Sequence, residues 1–261
     1  MSLDVRRQGA ATWITLDRPD ALNALDDPTK EALVGALGEA AEDETVRAVA
    51  LTGSGRAFCV GQDVRELEQG YREGRAPDLA AALERHYVPI CRLLAGMPKP
   101  TVAVVNGVAA GAGVSLALAC DLRLASSAAR WRLAFSGIAL VPDAGSTWHL
   151  PRVVGLSRAM EIALLGDWVD AGQALQFGLV NRAWPAEDFA REAAAAVAAL
   201  AAGPTLALGR AKALLRDHLQ VGLAEALAGE AEAQVASGQT KDHLEGVAAF
   251  LEKRPPTFQG A

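Results

Sequence analysis

The stretch that most restricts the fold is Thr101 to Cys120, TVAVVNGVAAGAGVSLALAC, where an apolar strand, a glycine-rich turn and a helix without a polar face follow one another. Thr101 to Val105 carry only apolar or β-branched side chains and read as a strand covered on both faces, as in a parallel sheet. From Val114 to Cys120 every helical face is apolar or small, so the helix is expected to be buried. Between them, Gly107, Gly111 and Gly113 permit backbone angles and close approaches that a Cβ would block. N–H groups at the start of such a helix lack an intrahelical acceptor and carry the positive end of the helix dipole. They can stabilise a carbonyl oxygen that is gaining negative charge. A turn packed with small residues for tightness alone would read the same way.

A second turn of the same kind lies upstream. Val46 to Thr52 is another apolar strand, followed by GSGRAFCVGQDVREL, a glycine-bearing loop that leads into a polar helix. Two strand-to-helix loops could each supply one N–H to the same oxygen. Downstream, Val141-Pro142-Asp143-Ala144-Gly145 offers a lone carboxylate. Pro-Asp-x-Gly is good turn chemistry, so Asp143 reads either as a cap for the next turn or as an acid/base group.

Size and charge narrow the class. The chain has 261 residues, enough for one α/β domain or a core with a small appendage. Its hydrophobic content of 51% sits largely in alanine-rich helices, which favours burial between subunits as well as within them. A net charge of −6 argues against nonspecific nucleic-acid binding. Cys59, Cys91 and Cys120 form no CxxC pair and read as reduced structural thiols of a cytoplasmic protein. His86, His149, His218 and His243 make no ligand cluster, so no metal is expected. No stretch reaches about 18 unbroken apolar residues and MSLDVRRQG has no signal core, so neither a membrane span nor a leader is expected.

Punctuation gives a coarse organisation. Strands are expected at 11–17, 46–52 and 179–184, and helices at 28–41, 83–94, 157–165, 171–177 and 185–200. Ser157 and Asp170 are expected N-caps, with Gly166 and Gly178 as stops. Residues 66–79 read as a mobile segment. Tyr71, His86 and Tyr87 are candidate lid or pocket residues, with a packed helix face the preferred reading of His86 and Tyr87. After Gly203-Pro204 come helical stretches at about 205–218, 222–236 and 240–253, with no later strand.

The blocks LDRPDALNAL, AFCVGQDVREL, KPTVAVVNGVAAGAGVSLALACDLRLAS, LVPDAGSTWHLPRVVG and FLEKRPPTFQG occur in the order and approximate spacing of one family. Through them the chain resembles the crotonase, or enoyl-CoA hydratase/isomerase, superfamily nearly end to end. The resemblance implies an α/β spiral of repeated ββα units over residues 1–200, carrying the acyl-CoA site. It implies a helical oligomerisation region over 201–261 that packs in a homotrimer or in a hexamer of two trimers. It places the oxyanion-hole amides on Gln62 and Ala112, both acting through the main chain. Ala24, Ala57, Gly61, Asp63, Gly111, Ser115 and Phe135 are then expected to border the acyl-CoA channel. Coenzyme A enters as part of the substrate, and no separate cofactor is implied.

Departures from the family pattern concern the reaction. The two positions that hold catalytic glutamates in hydratases of this family are Ser115, four residues after Gly111, and Phe135, seven before Pro142. Neither can activate a water or protonate a carbon as a carboxylate does, which makes ordinary hydration doubtful. Asp143 stands where hydratases usually have glycine. The run LVPDAGSTWHLPRV resembles the isomerase branch that acts on ring-epoxide thioesters of phenylacetate catabolism, so an acyl-CoA isomerase acting through Asp143 is expected, on a ring epoxide or an enoyl-CoA. Enoyl-CoA hydration, or a catalytically silent acyl-CoA- or protein-binding relative, is the alternative. GVSLA nearly matches a hydrolase nucleophile elbow, but its last residue is Ala117 and Asp143 lies only six residues before His149.

Overall fold

The computed structural model of the protein describes residues 2–74 and 78–261. Strands β1 (Leu3–Gln8) and β2 (Ala11–Leu16) pair antiparallel, and β3 (Ala48–Gly53) joins β2 in parallel with Ile14 opposite Leu51. β4 (Ala57–Cys59) starts a second sheet. Along the chain follow β5 (Thr101–Val105), β6 (Val108–Ala110), β7 (Leu122–Ser126), β8 (Arg130–Arg132), β9 (Val169–Asp170) and β10 (Arg182–Trp184). The large sheet has the order β1-β2-β3-β5-β7-β10 and the small one β4-β6-β8-β9. The helices are α1 (Asp27–Glu42), α2 (Val64–Arg72), α3 (Leu79–Ala82), α4 (Val88–Gly96), α5 (Ala112–Ala119), α6 (Ser146–Val154), α7 (Leu156–Leu165), α8 (Ala171–Gln176) and α9 (Ala186–Ala201). A tail of α10 (Thr205–Asp217), α11 (Leu223–Gly238) and α12 (Lys241–Glu252) follows.

The path is a spiral. From β3, β5 and β7 in the large sheet the chain steps to β4, β6 and β8 in the small sheet, then turns into α2, α5 and a short 3-10 segment, Ala134–Ile138. Repeated ββα units are therefore the architecture, as expected. The strand pattern explains why β3 and β5 read as continuous apolar runs. In β3, Val49 and Leu51 point into the main core while Ala48 and Ala50 face a second core against α9. In β5, Ala103 and Val105 take the first side and Val102 and Val104 the second, so both faces are dry. All eight residues of α5 are buried, its apolar side chains in the main core.

Local chemistry sets the ends of the elements. Asp26 caps α1 by accepting from the Thr29 N–H at 3.0 Å, and Asp170 with Gln173 forms a complete capping box on α8. Ser157 is not a cap. α7 starts at Leu156 with Gly155 as its N-cap, whose φ of +77° no β-carbon residue adopts easily. The expected strand at 179–184 shortens to β10, its first residues serving as a buried connection. The first half of the segment expected to be mobile, residues 66–72, lies in helix α2, and residues 75–77 of it lie outside the described residues. The helix expected at 83–94 is α4 preceded by a π-turn, Leu83–Tyr87. The tail is bolted to the core: Lys212 and Arg216 reach Asp121 at 2.7 and 2.9 Å, and Gly209 presses against the Pro98 carbonyl.

Candidate active site

One donor is prepared by the loop after β4. The Leu25 N–H donates to the Gly61 carbonyl at 2.8 Å, and the Asp63 N–H donates back to the Leu25 carbonyl at 3.0 Å. In a trans peptide the N–H points opposite to the C=O. With the Gly61 carbonyl turned to Leu25, the Gln62 N–H must point the other way, and no backbone bond takes it up among the described residues. Asp63 fixes the far side of this loop. Arg65 and Arg18 bond its carboxylate at 3.0 and 3.1 Å, and they hold its pKa down at about 2, the Arg65 bond contributing most. Arg18 also reaches Asp26 at 3.0 Å, tying the loop to the start of α1.

The second donor comes from the start of α5. The Gly111 carbonyl accepts from Val114 at 3.0 Å and points along the helix, which aims the Ala112 N–H outward from the helix start. The two loops touch here. A Cβ on Gly61, whose φ is +86°, would stand 2.8 Å from the Ala112 nitrogen. A Cβ on Gly113 would stand 2.1 Å from the Cys59 carbonyl oxygen, so only glycine lets α5 approach β4 this closely. Two unpaired N–H groups thus stand side by side at the end of a helix dipole, an arrangement suited to a developing oxyanion.

Gln62 and Ala112 line a cleft of about 680 Å³ together with Asp143, Phe135, Tyr87, His86 and Lys30, among others. Asp143 does not act as a cap. Its main-chain carbonyl accepts from the Ser146 N–H at 3.0 Å and the Ser146 hydroxyl at 2.8 Å, and α6 begins on Gly145 with no side-chain cap. The carboxyl is left over. Its Oδ1 is buried without a hydrogen-bond partner, and burial alone pushes its pKa up to about 6. A carboxylate near that value is ionised at neutral pH yet basic enough to exchange a proton.

The other expected site residues separate into wall and support. Gly111 and Phe135 line the cleft. Gly61 and Asp63 shape the donor loop from behind it. Ala24, Ala57 and Ser115 are buried and are not among the described lining residues, and Ser115 Oγ, on α5, has no partner. Tyr71 is exposed, whereas His86 and Tyr87 both line the cleft and pack in its wall. Trp148 stacks on Arg152 and edges His149, off the cleft lining. Burial, with Arg216, Arg123 and Arg152 nearby, pushes His149 down to about 4, which leaves it neutral. Among the described residues no group of three His, Cys, Asp or Glu could hold a metal.

Sequence reading missed Lys30. It is 1% exposed, lines the cleft, and pairs with Asp27 at 2.7 Å while donating to Gln62 Oε1 at 2.9 Å. A lysine on a predicted helix gives no sign of burial, because beside Asp27 on its own helix it needs Gln62, 32 positions away, as a second partner.

The family model for enoyl-CoA hydratase/isomerase matches residues 6–261. The chain is 42% identical over 247 residues to 1,2-epoxyphenylacetyl-CoA isomerase of Escherichia coli strain K12, covering 95% of this chain and 94% of that one. It is 37% identical to 2,3-dehydroadipyl-CoA hydratase of the same organism, over 99% and 98% of the two chains. A crystal structure of enoyl-CoA hydratase from Bacillus anthracis superposes with a TM-score of 0.91 at 32% identity, over 100% of each chain. The protein belongs to the enoyl-CoA hydratase/isomerase family.

Proposed function

We propose that the protein isomerises acyl-CoA thioesters by moving a proton or a double bond, with Asp143 as the single acid/base group. The observation that carries this is a buried, unpartnered carboxyl oxygen in the cleft that Gln62 and Ala112 line, two residues whose N–H groups no backbone acceptor takes up among the described residues. With the thioester oxygen between the two amides, Asp143 takes a proton from the carbon next to the carbonyl. The electron pair moves into a dienolate whose oxygen the amides stabilise. The protonated carboxyl then returns the proton to the far end of the conjugated system, so no water or redox partner is consumed.

Hydration fits less well. It needs a second group to activate water, and the two positions in question carry Ser115, off the cleft lining, and Phe135, an apolar wall. The name of the Escherichia coli isomerase supports a ring-1,2-epoxide of phenylacetyl-CoA as a substrate, beside simple 3-enoyl-CoA thioesters. CoA is carried by the substrate, and the chemistry calls for no other cofactor. We place the enzyme in the reducing cytoplasm, in line with its three unpaired cysteines. Among the described residues no single helix is long and apolar enough to cross a membrane. Leu223, Leu227, Val235, Leu244 and Phe250 are exposed on the tail, up to 83% at Phe250, and support assembly as a trimer or a hexamer of two trimers through residues 201–261.

Turnover of crotonyl-CoA, a 3-enoyl-CoA and the ring epoxide, read by mass and ultraviolet spectra, tests the proposal. Isomerisation leaves the mass unchanged, while hydration adds one water. Water addition as the main reaction would refute it.

A further inference from the structure

Gln62 supplies its main-chain N–H to the cleft, yet its side chain is bonded at every end. Tyr87 Oη and Lys30 Nζ each donate to Gln62 Oε1 at 2.9 Å, and Gln62 Nε2 donates to Glu66 Oε2 at 2.9 Å. Both acceptor sites of the amide oxygen are filled, by two donors that neighbour each other, Lys30 Nζ lying 5.6 Å from the centre of the Tyr87 ring. Lys30 comes from α1, and its charge is balanced by Asp27 at 2.7 Å. Tyr87 comes from the π-turn Leu83–Tyr87, an irregularity that is frequent at functional sites. Burial keeps the Tyr87 hydroxyl protonated, with Asp143 among the nearby groups acting in the same direction. A phenol committed to Gln62 is therefore a fixed donor.

The residue just before this clamp is the weak point of the loop. Gly61 has a φ of +86° and no side chain, so the 61–62 peptide is held by Leu25 on one side only. We infer that Tyr87 and Lys30, through their shared acceptor on Gln62, are positioning residues that hold the Gln62 N–H at the oxyanion position. They act on the reaction through another residue and touch no reacting atom. The inference rests on the oxyanion reading of Gln62 and Ala112.

The test uses cinnamoyl-CoA, a conjugated thioester that has no γ-proton to move, as an optical probe of carbonyl polarisation in the full-length protein. A red shift of its absorption on binding is expected, because the two amides draw charge toward the thioester oxygen. Tyr87→Phe should reduce that shift and lower isomerisation kcat by about five- to tenfold, the loss of one neutral hydrogen bond, with KM within about twofold. Lys30→Gln, which removes the other donor to Gln62 Oε1, should act in the same direction. In a Gln62→Ala background, Tyr87→Phe should add less than about a twofold effect, since the partner through which it works is gone. An undiminished red shift in a folded Tyr87→Phe protein, or full additivity with Gln62→Ala, overturns the inference. Absence of a red shift in the unaltered protein overturns the oxyanion reading itself, and the inference with it.

Discussion

Replacing Gly113 by alanine tests whether the close packing of α5 on β4 sets the catalytic geometry. The new Cβ would stand 2.1 Å from the Cys59 carbonyl oxygen and 2.7 Å from its carbon. A carbon–oxygen contact relaxes at about 3.3 Å, so the two segments must separate by roughly 1.2 Å. Both obstructing atoms are main chain, and neither can rotate away. One segment carries the Ala112 N–H and the other leads through Gly61 to the Gln62 N–H, so the separation widens the gap between the two donors. Misplacement on this scale is worth about 10²-fold in rate, and overpacking of this kind about 1–3 kcal/mol in stability. Gly113→Ala should then lower isomerisation kcat by about 10²-fold. It should also melt about 3–10 °C below the parent. Gly38→Ala is the control: that glycine lies within α1 with nothing within 4 Å of the new Cβ, and it should raise stability by about 0.5–1 kcal/mol. Steady-state kinetics and thermal melting measure both. A Gly113→Ala protein with parental kcat and melting temperature would refute the reasoning.

Ser115→Ala removes a buried hydroxyl that has no partner, so the melting temperature should stay level or rise, and a fall of more than about 1 kcal/mol would reveal a partner. Asp63 is held at about 2 by Arg65 and Arg18, below its unfolded value near 4, so its stabilising contribution is complete above about pH 4 and fades as pH falls toward 2. Asp63→Asn should therefore melt lower than the parent at pH 7, with the gap closing through that acid window; a gap that stays constant would contradict the linkage. Crotonyl-CoA hydration should be slower than in a hydratase carrying both glutamates by about 10² or more per missing carboxylate, and hydratase-like turnover would show the catalytic groups to be elsewhere.

How much was legible in the sequence follows from how local each signal is. The strands β3 and β5 and the helix α5 were legible because burial on all sides leaves no charged residue in them, and only Thr52, Thr101 and Ser115 as small polar ones. The Asp170 cap was legible because a capping box is completed within four residues. β1 was missed: only its pairing with β2 makes a strand of LDVRRQ, whose burial runs from half-buried to exposed. The start of α2 was expected as a polar helix, but its residues from 66 on were taken for a mobile segment because their sequence is polar and irregular. At the site, the motifs located Gln62, Ala112 and Asp143. The clamp of Lys30 and Tyr87 on Gln62 joins residues 25 to 32 positions apart, and no local pattern encodes that meeting.

The central claim is that Asp143 moves the proton. Its most direct test is the isomerisation rate of a 3-enoyl-CoA by Asp143→Asn, with uptake of solvent deuterium measured in parallel. The parent's kcat/KM should rise with pH through about 6 as the carboxyl loses its proton. Asparagine keeps the shape, and the turn is held by the main-chain carbonyl at 143, so the variant should fold. At neutral pH it should melt no lower than the parent, because a buried charge is gone. Isomerisation and deuterium uptake should both fall by about 10² to 10⁴, with thioester affinity little changed. A folded Asp143→Asn protein that isomerises at the parental rate would contradict the account.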